Sequence, residues 1–570
     1  MENNQNQTRR NKILTICGVL FLSTLSASWM LSAMPLEDHE CFVSVTAREM
    51  LQSHNWIMPT FNGQPRLQKT PLSYWLVAAI AKATGKVDEF AARLPSVIFA
   101  VLSIVSIIYF VNRWLNFRTA VISAAIWATS LAYIRYSHNA RPEMGLTFFI
   151  VLSFLSFYSA VTASSRREQI VYALIFWTSF GLGNLAKGPV PLPLVLMPLF
   201  FYVAIFRQWK KLPKLMPVVG PLIFLLIILP WPLAIGHRVN WDLAVWKSHF
   251  IDRFFGEFDS GHKPLYYYLG TMFVFVAPWV AFLPMALVAP FYKTWNKKQP
   301  AMKFLWLWFV VDLGVLTICG GKRQHYILPL MPAMAILIGI LLEDMVFVQK
   351  ALAAKFAKDV LRWHVVVLIA AAAALPIYVA RTKPQLLAHQ MYGGLAAVTV
   401  VAAVTIILII VVAALFARKH PALGCVTIFA SIVLVVMIGC VIFVNQLNYN
   451  EPSRQFSLTV AKIVPVQDKL AAYRVLSARF IYYFGRPVTK IQSQDQVSQL
   501  YEQNFWIVAF GKDLDELLGD SHFELVYRQE PAEWHGQDAV AGGLFHKSAS
   551  LIEDQGNAER EDKPISPGHR

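Results

Sequence analysis

Apolar residues run through this chain in blocks of about twenty, separated by short polar stretches, from Ile13 to Val444. A helix needs about 18 or more such residues to cross roughly 30 Å of hydrocarbon. Thirteen blocks meet or approach that length, near 13–34, 94–112, 117–135, 143–162, 168–186, 189–206, 215–236, 265–290, 302–320, 326–344, 362–380, 392–416 and 422–445. Beyond residue 446 the pattern changes. "YRVLSARFIYYFG", "NFWIVAF" and "FELVYR" are short runs rich in β-branched and aromatic residues, separated by polar stretches of helical character. They predict a small soluble α/β unit over 447–547. Residues 548–570 are polar, end in "EREDKPISPGHR", and read as a disordered tail. The expected fold is therefore an all-α polytopic membrane domain of about 13 transmembrane helices over 1–446, followed by that α/β domain.

Composition agrees: 56% of the 570 residues are hydrophobic and 15% charged, against roughly 25% charged in a soluble domain. Net charge is +17, but the cations are not gathered on one soluble face, which excludes a nucleic-acid reading. They alternate by loop. Arg9, Arg10 and Lys12; Arg113 and Arg118; Arg166 and Arg167; and Lys210, Lys211 and Lys214 all fall on one side, and later loops on that side are basic too. That side is cytoplasmic by the positive-inside rule. The loops 35–92 and 237–264 and the α/β domain then lie outside. The five cysteines show no CxxC spacing and suggest no metal site or pairing.

The first outer loop begins "MPLEDHECF", placing Glu37, Asp38 and Glu40 at the end of the first apolar run. Val43, Ala47, Met50 and Leu51 share one helical face; Leu72, Leu76, Ala79 and Ile80 share another after Thr70–Pro71. Two amphipathic surface helices are expected. Asp38 could cap the first of them, with Glu40 in its first turn, or either could be catalytic.

Three further features favour chemistry. Lys69 precedes a helix N-terminus, where a cation opposes the dipole and calls for an anion. Arg135, Arg141, Lys187, His262, Lys263, Lys322 and Arg323 collect on the outer side, in "NARPEMG", "NLAKGPV", "SGHKPLYYY" and "GGKRQHYILP". Together they suggest a basic cavity for a phosphate-bearing lipid, since buried cations need a matching anion. Glu143, at the start of a span, is either Arg141's structural partner or functional.

These stretches occur in a recognisable order. An acidic pair follows the first span, then K-x-P-x-x-Y-W at Lys69, R-P-E-M at Arg141–Met144, K-G-P at Lys187, "LPWP", "GHKPLYYY", and a lysine ahead of "YILP" near Tyr326. Over about residues 15–345 the chain resembles the bacterial aminoarabinose transferases and the wider protein-mannosyltransferase-like group. The resemblance implies a C-type glycosyltransferase fold and an inverting, polyprenyl-phosphate-sugar-dependent transferase in the bacterial inner membrane, with its site on the periplasmic side. Asp38 corresponds to the catalytic carboxylate with Glu40 beside it, and Glu143 to a second acid. Lys69, with Lys187, Lys263, Lys322, Arg323 and Tyr326, would bind the donor phosphate, and Arg141 and His262 complete the site. Undecaprenyl-phosphate sugar is the implied donor and lipid A the nearest acceptor. A protein O-mannosyltransferase, a transferase for another envelope glycan, and a non-enzymatic lipid or sugar transporter are the alternatives.

One departure bears on cofactors. The aminoarabinose transferases carry a zinc-binding glutamate just before the motif lysine, where this chain has Gln68. A neutral amide is a poor zinc ligand. Zinc is not expected at that place; no cofactor is certain, and a divalent metal stays open as an alternative.

Overall fold

The structure, a computed structural model, describes residues 2–238, 247, 252, 263–295, 297–348, 354–382, 394–418, 420–449, 452–499, 505–529 and 541–547. His262, most of the 237–264 loop and the 548–570 tail lie outside the described residues.

The chain opens with α1 (Glu2–Ser28). Turns then lead to α2 (Asp38–Ser53), a short antiparallel hairpin of β1 (Thr60–Phe61) and β2 (Gln64–Pro65), and α3 (Leu72–Thr84). Next come α4 (Glu89–Trp114), α5 (Phe117–Ala128), α6 (Leu131–Ser137), α7 (Glu143–Thr162), α8 (Arg166–Lys187) and α9 (Pro191–Ile205).

Among the described residues, eight helices are long and apolar enough to cross a membrane, and each falls on a predicted block. Two further blocks are bent pairs: α5 and α6 meet at 59°, and Trp209–Leu215 meets Val219–Ile228 at 55°. At the first bend, Ser130 interrupts the helix and accepts the backbone N–H of Tyr133, restarting the chain in a new direction. The blocks at 189–206, 265–290 and 362–380 fall on shorter apolar helices. In the second of these, Pro278 separates Tyr267–Val276 from the turns beginning at Val280, because proline cannot donate to the helical ladder.

Similar apolarity serves two environments. α7 is buried over 94% of its apolar window, whereas Val398–Leu415 and Pro421–Val441 are buried over 11% and 17% and present their side chains outward. One span carries an ionisable side chain in its interior that the block pattern underplays: Asp312, in Gln299–Ile318, is fully buried.

The basic loops gather at one end of the bundle. There Arg113 bonds Glu168 at 2.6 Å, Lys298 bonds Glu343 at 2.6 Å, and Lys214 donates to the carbonyls of Val161 and Ala163. The opposite end carries α2, α3, the hairpin and the C-terminal domain.

α2 and α3 pack on each other. Val43, Ala47 and Met50 meet Tyr74, Val77 and Ala78. The buried face of α3 therefore differs from the expected Leu72–Leu76–Ala79–Ile80 stripe, of which Leu72 and Leu76 are half-buried and Ala79 is exposed. Tyr74 draws the helix round by offering more apolar area than any residue of that stripe.

The C-terminal domain is a five-stranded sheet of order β4-β3-β5-β7-β6, from β3 (Lys469–Tyr473), β4 (Thr489–Ile491), β5 (Phe505–Phe510), β6 (Phe523–Gln529) and β7 (Gly542–Lys547). β3 pairs in parallel with β4 and β5, and β7 pairs antiparallel with β5 and β6. Much of the expected strand "YRVLSARFIYYFG" is instead the helix Ala478–Phe484, capped by Ser477 on the N–H of Phe480 at 3.1 Å. The run is apolar all round because both sides are covered. Phe480 and Phe484 pack with Phe456 and Val508 of the domain, while Ile481 and Tyr482 pack on Leu36, Cys41 and Val45 of the first outer loop.

Candidate active site

The three faces of α2 organise this end of the molecule. One stripe turns to the C-terminal domain. Cys41 and Val45 pack against Ile481 and Tyr482, and Arg48 donates to the carbonyls of Tyr482 (2.9 Å) and Ile481 (3.2 Å). Asp38 belongs to this stripe and accepts the N–H of Arg479 at 3.1 Å. A second direction, into the protein, holds Glu40, 1% exposed. Its carboxylate takes two bonds from Arg93 at 2.9 and 2.8 Å, the N–H of Ala140 at 2.7 Å and the N–H of Glu37 at 2.9 Å. Arg93 uses its remaining donors on the carbonyls of Leu31, Met34 and Pro35. The third face, His39, Phe42 and Val43, looks into a cavity of about 290 Å³.

The cavity lies between α2, α3, the start of α7, the end of α8 and residues 323–326. Arg66, Lys69, Arg141, Lys187 and Arg323 supply five cations to its wall against the single carboxylate of Glu143. Glu143 opens α7 and is 6% exposed. Its Oε1 binds Lys187 Nζ at 3.0 Å and lies 3.4 Å from His325 Nε2. Its buried Oε2 has no hydrogen-bond partner among the described residues. The expected Arg141–Glu143 pair does not form: Arg141 binds Glu37 at 2.6 Å, and Glu143 takes Lys187. Lys187 Nζ also stands 5.3 Å over the ring of Tyr326. Thr70 fixes the end of α8 by accepting the N–H of Gly188 at 3.0 Å. Arg66 stacks over Phe42 at 4.2 Å and bonds the Tyr74 hydroxyl at 3.3 Å.

Of the residues expected from sequence, the structure brings Lys69, Arg141, Glu143, Lys187, Arg323 and Tyr326 together on the cavity wall. Asp38 and Glu40 are not on it; one faces the C-terminal domain and the other a buried arginine. Lys263 and Lys322 stand beyond it. Each ammonium donates to the other's carbonyl, at 3.1 and 3.4 Å, joining the segment before Tyr267–Val276 to the one before Met331–Glu343. Sequence reading missed His39, Arg66, Thr70 and His325. Three of these stand inside motifs already singled out: Thr70 in K-x-P-x-x-Y-W, read only as a helix start, and the histidines in "MPLEDHECF" and "GGKRQHYILP", which nothing in the spacing said would turn inward.

Partial desolvation is the largest influence on His39, whose ring still reaches solvent, and Arg141, Arg323 and Lys69 add to it. All four disfavour the imidazolium and hold its pKa below the ordinary 6.5, with Glu143 opposing them. For a metal, the donor set is poor. Gln68 offers only an amide oxygen, and among the described residues no three His, Cys, Asp or Glu side chains converge on one point. What the cavity suits is an anion of more than one charge, set against a surplus of guanidinium and ammonium groups in a partly enclosed pocket.

The comparisons bear on this geometry. The family model described as dolichyl-phosphate-mannose-protein mannosyltransferase matches residues 68–233, from Gln68 through the helices that carry Glu143 and Lys187. Undecaprenyl phosphate-alpha-4-amino-4-deoxy-L-arabinose arabinosyl transferase of Pseudomonas paraeruginosa is 29% identical over 316 residues, 54% of this chain and 56% of that protein. The enzyme of the same description from Pectobacterium atrosepticum is 30% identical over 344 residues, 59% of each chain. The chain thus matches a little over half the length of these curated relatives. Beyond sequence, the crystal structure of ArnT from Cupriavidus metallidurans bound to undecaprenyl phosphate superposes with a TM-score of 0.80 at 17% identity. That superposition covers 95% of this chain and 98% of the other. The fold is therefore that of a C-type glycosyltransferase, and the resemblance read from the motifs holds.

Proposed function

We propose that the protein is an integral-membrane glycosyltransferase of the bacterial inner membrane. It would take a sugar from an undecaprenyl-phosphate donor and pass it to an acceptor on the periplasmic side. The observation that carries this reading is the cavity itself, where five cations stand against one carboxylate beside the membrane-facing bundle. A sugar linked to a lipid phosphate brings its own leaving group. Departure of the lipid phosphate concentrates negative charge on its oxygens, and preorganised cations stabilise that charge most where water is scarce. We assign this work to Lys69, Lys187 and Arg323, which line the cavity. Glu143, holding Lys187 with one oxygen and leaving the other unpartnered, fixes the ammonium and offers an acceptor to a sugar hydroxyl.

The named relatives support 4-amino-4-deoxy-L-arabinose as the sugar, and the resemblance read from the motifs points to lipid A as the acceptor. Placing an amino sugar on an acidic lipid weakens its attraction for cationic peptides. The 68–233 match favours a protein acceptor as the second reading. Mass spectrometry of lipid A from cells with and without the gene separates them. An added aminopentose that disappears on deletion supports the first. Unchanged lipid A with loss of glycosylated periplasmic protein supports the second. For the donor site, Lys69→Ala is expected to weaken undecaprenyl phosphate binding by about tenfold, the size of one charge-assisted contact, measured by the shift in melting temperature on adding the lipid.

A further inference from the structure

We infer that His39 is the residue that touches the acceptor and takes its proton during transfer, resting on the transferase reading above. The placement of α2 carries this. His39, Phe42 and Val43 form its cavity face, while Asp38, one residue earlier and about 100° round the helix, accepts the N–H of Arg479 from the C-terminal domain. Glu40, one residue later, has its carboxylate filled by Arg93, Ala140 and Glu37. Neither flanking acid can reach the cavity without breaking those bonds.

Glu143, the one carboxylate on the wall, holds Lys187 with Oε1, against which His325 also sits, and its unpartnered Oε2 is the atom assigned above to a hydroxyl of the donor sugar. The Tyr74 hydroxyl is bonded to Arg66. His39 is the exposed one, in the first turn of α2, where the helix dipole disfavours a cation. The charged groups facing it, Arg141, Arg323 and Lys69 with Glu143 opposing, leave the imidazole neutral at neutral pH. A neutral imidazole is the form a base needs.

The step balances as one displacement. The acceptor hydroxyl oxygen, a C–OH or the P–OH of a singly ionised phosphate, forms its bond to the anomeric carbon as the bond from that carbon to the lipid phosphate oxygen breaks. The electron pair leaves on the phosphate, and the hydroxyl proton moves to the His39 ring, which returns it to solvent.

The test measures transfer by the purified full-length protein from undecaprenyl-phosphate sugar across pH 4.5 to 8.5. The expected wild-type profile falls on the acid side with an apparent pKa below 6.5. His39→Asn lowers kcat by about 10²–10⁴-fold and removes that acid limb. His39→Asp restores part of the rate and moves the limb into the carboxylate range. A purely structural His39 would change the rate without moving the limb. If His39→Asn keeps the wild-type limb, or Asp38→Asn alone abolishes it, the proposal is overturned, whereas loss of transfer in Lys69→Ala and Glu143→Gln would still uphold the transferase reading. If wild type transfers nothing, the transferase reading itself fails, and this proposal with it.

Discussion

Two carboxylates at this end of the molecule show how position decides the fate of a charge. Glu40 is sealed with Arg93 in a fully hydrogen-bonded pair; Glu143 keeps one oxygen without a partner beside a cavity. Removing one member of a buried pair leaves the other as an uncompensated charge, at a cost of about 3–5 kcal/mol. Glu40→Gln should therefore lower the melting temperature in detergent markedly. Glu143→Gln likewise strips buried Lys187 of its partner and should lower the melting temperature too, but it should also cut sugar transfer by about 10²-fold or more. Equal melting temperatures in wild type and Glu40→Gln would contradict the structural role given to that pair. The types of residue needed here were legible from "MPLEDHECF", but their directions were not. A helix advances about 100° per residue, so a one-residue difference in where α2 starts decides which of Asp38, His39 and Glu40 faces the cavity. That start is set by Glu37 and by the partners Arg93 and Arg479, the latter 441 positions from Asp38 in the chain.

At the scale of elements, α2 is shared between the cavity and the C-terminal domain. Arg48 holds two carbonyls of the helix Ala478–Phe484 and stands 5.8 Å over the Tyr482 ring. Asn62 and Val488 exchange two bonds, each of 2.8 Å, and the Tyr482 hydroxyl donates to the carbonyl of Val87. Arg48→Ala combined with Asn62→Ala should speed hydrogen exchange in Ala478–Phe484. Unchanged protection would show that apolar packing alone holds the domain. Sequence pattern located the spans because hydrocarbon imposes a length on them. It was blind to the bends at Ser130 and Pro278, where a capping side chain or a missing N–H redirects the chain inside one apolar block. It also took Ala478–Phe484 for a strand, because a helix buried on two sides has no polar face to betray its period.

Over the whole molecule, charge is sorted by end. The loops rich in lysine and arginine meet at the end carrying the Arg113–Glu168 and Lys298–Glu343 bonds, and the cation-lined cavity opens at the other. The basic loops satisfy membrane orientation. The cavity cations lie where that rule would not place them, which is why a ligand phosphate is the economical explanation for them. The most direct measurement is transfer of labelled aminoarabinose from undecaprenyl phosphate to lipid A by the purified full-length protein in liposomes. We expect labelled lipid A with wild type and at least a hundredfold less with Glu143→Gln. Labelled lipid A in equal amounts from both proteins, or from neither, would contradict the account.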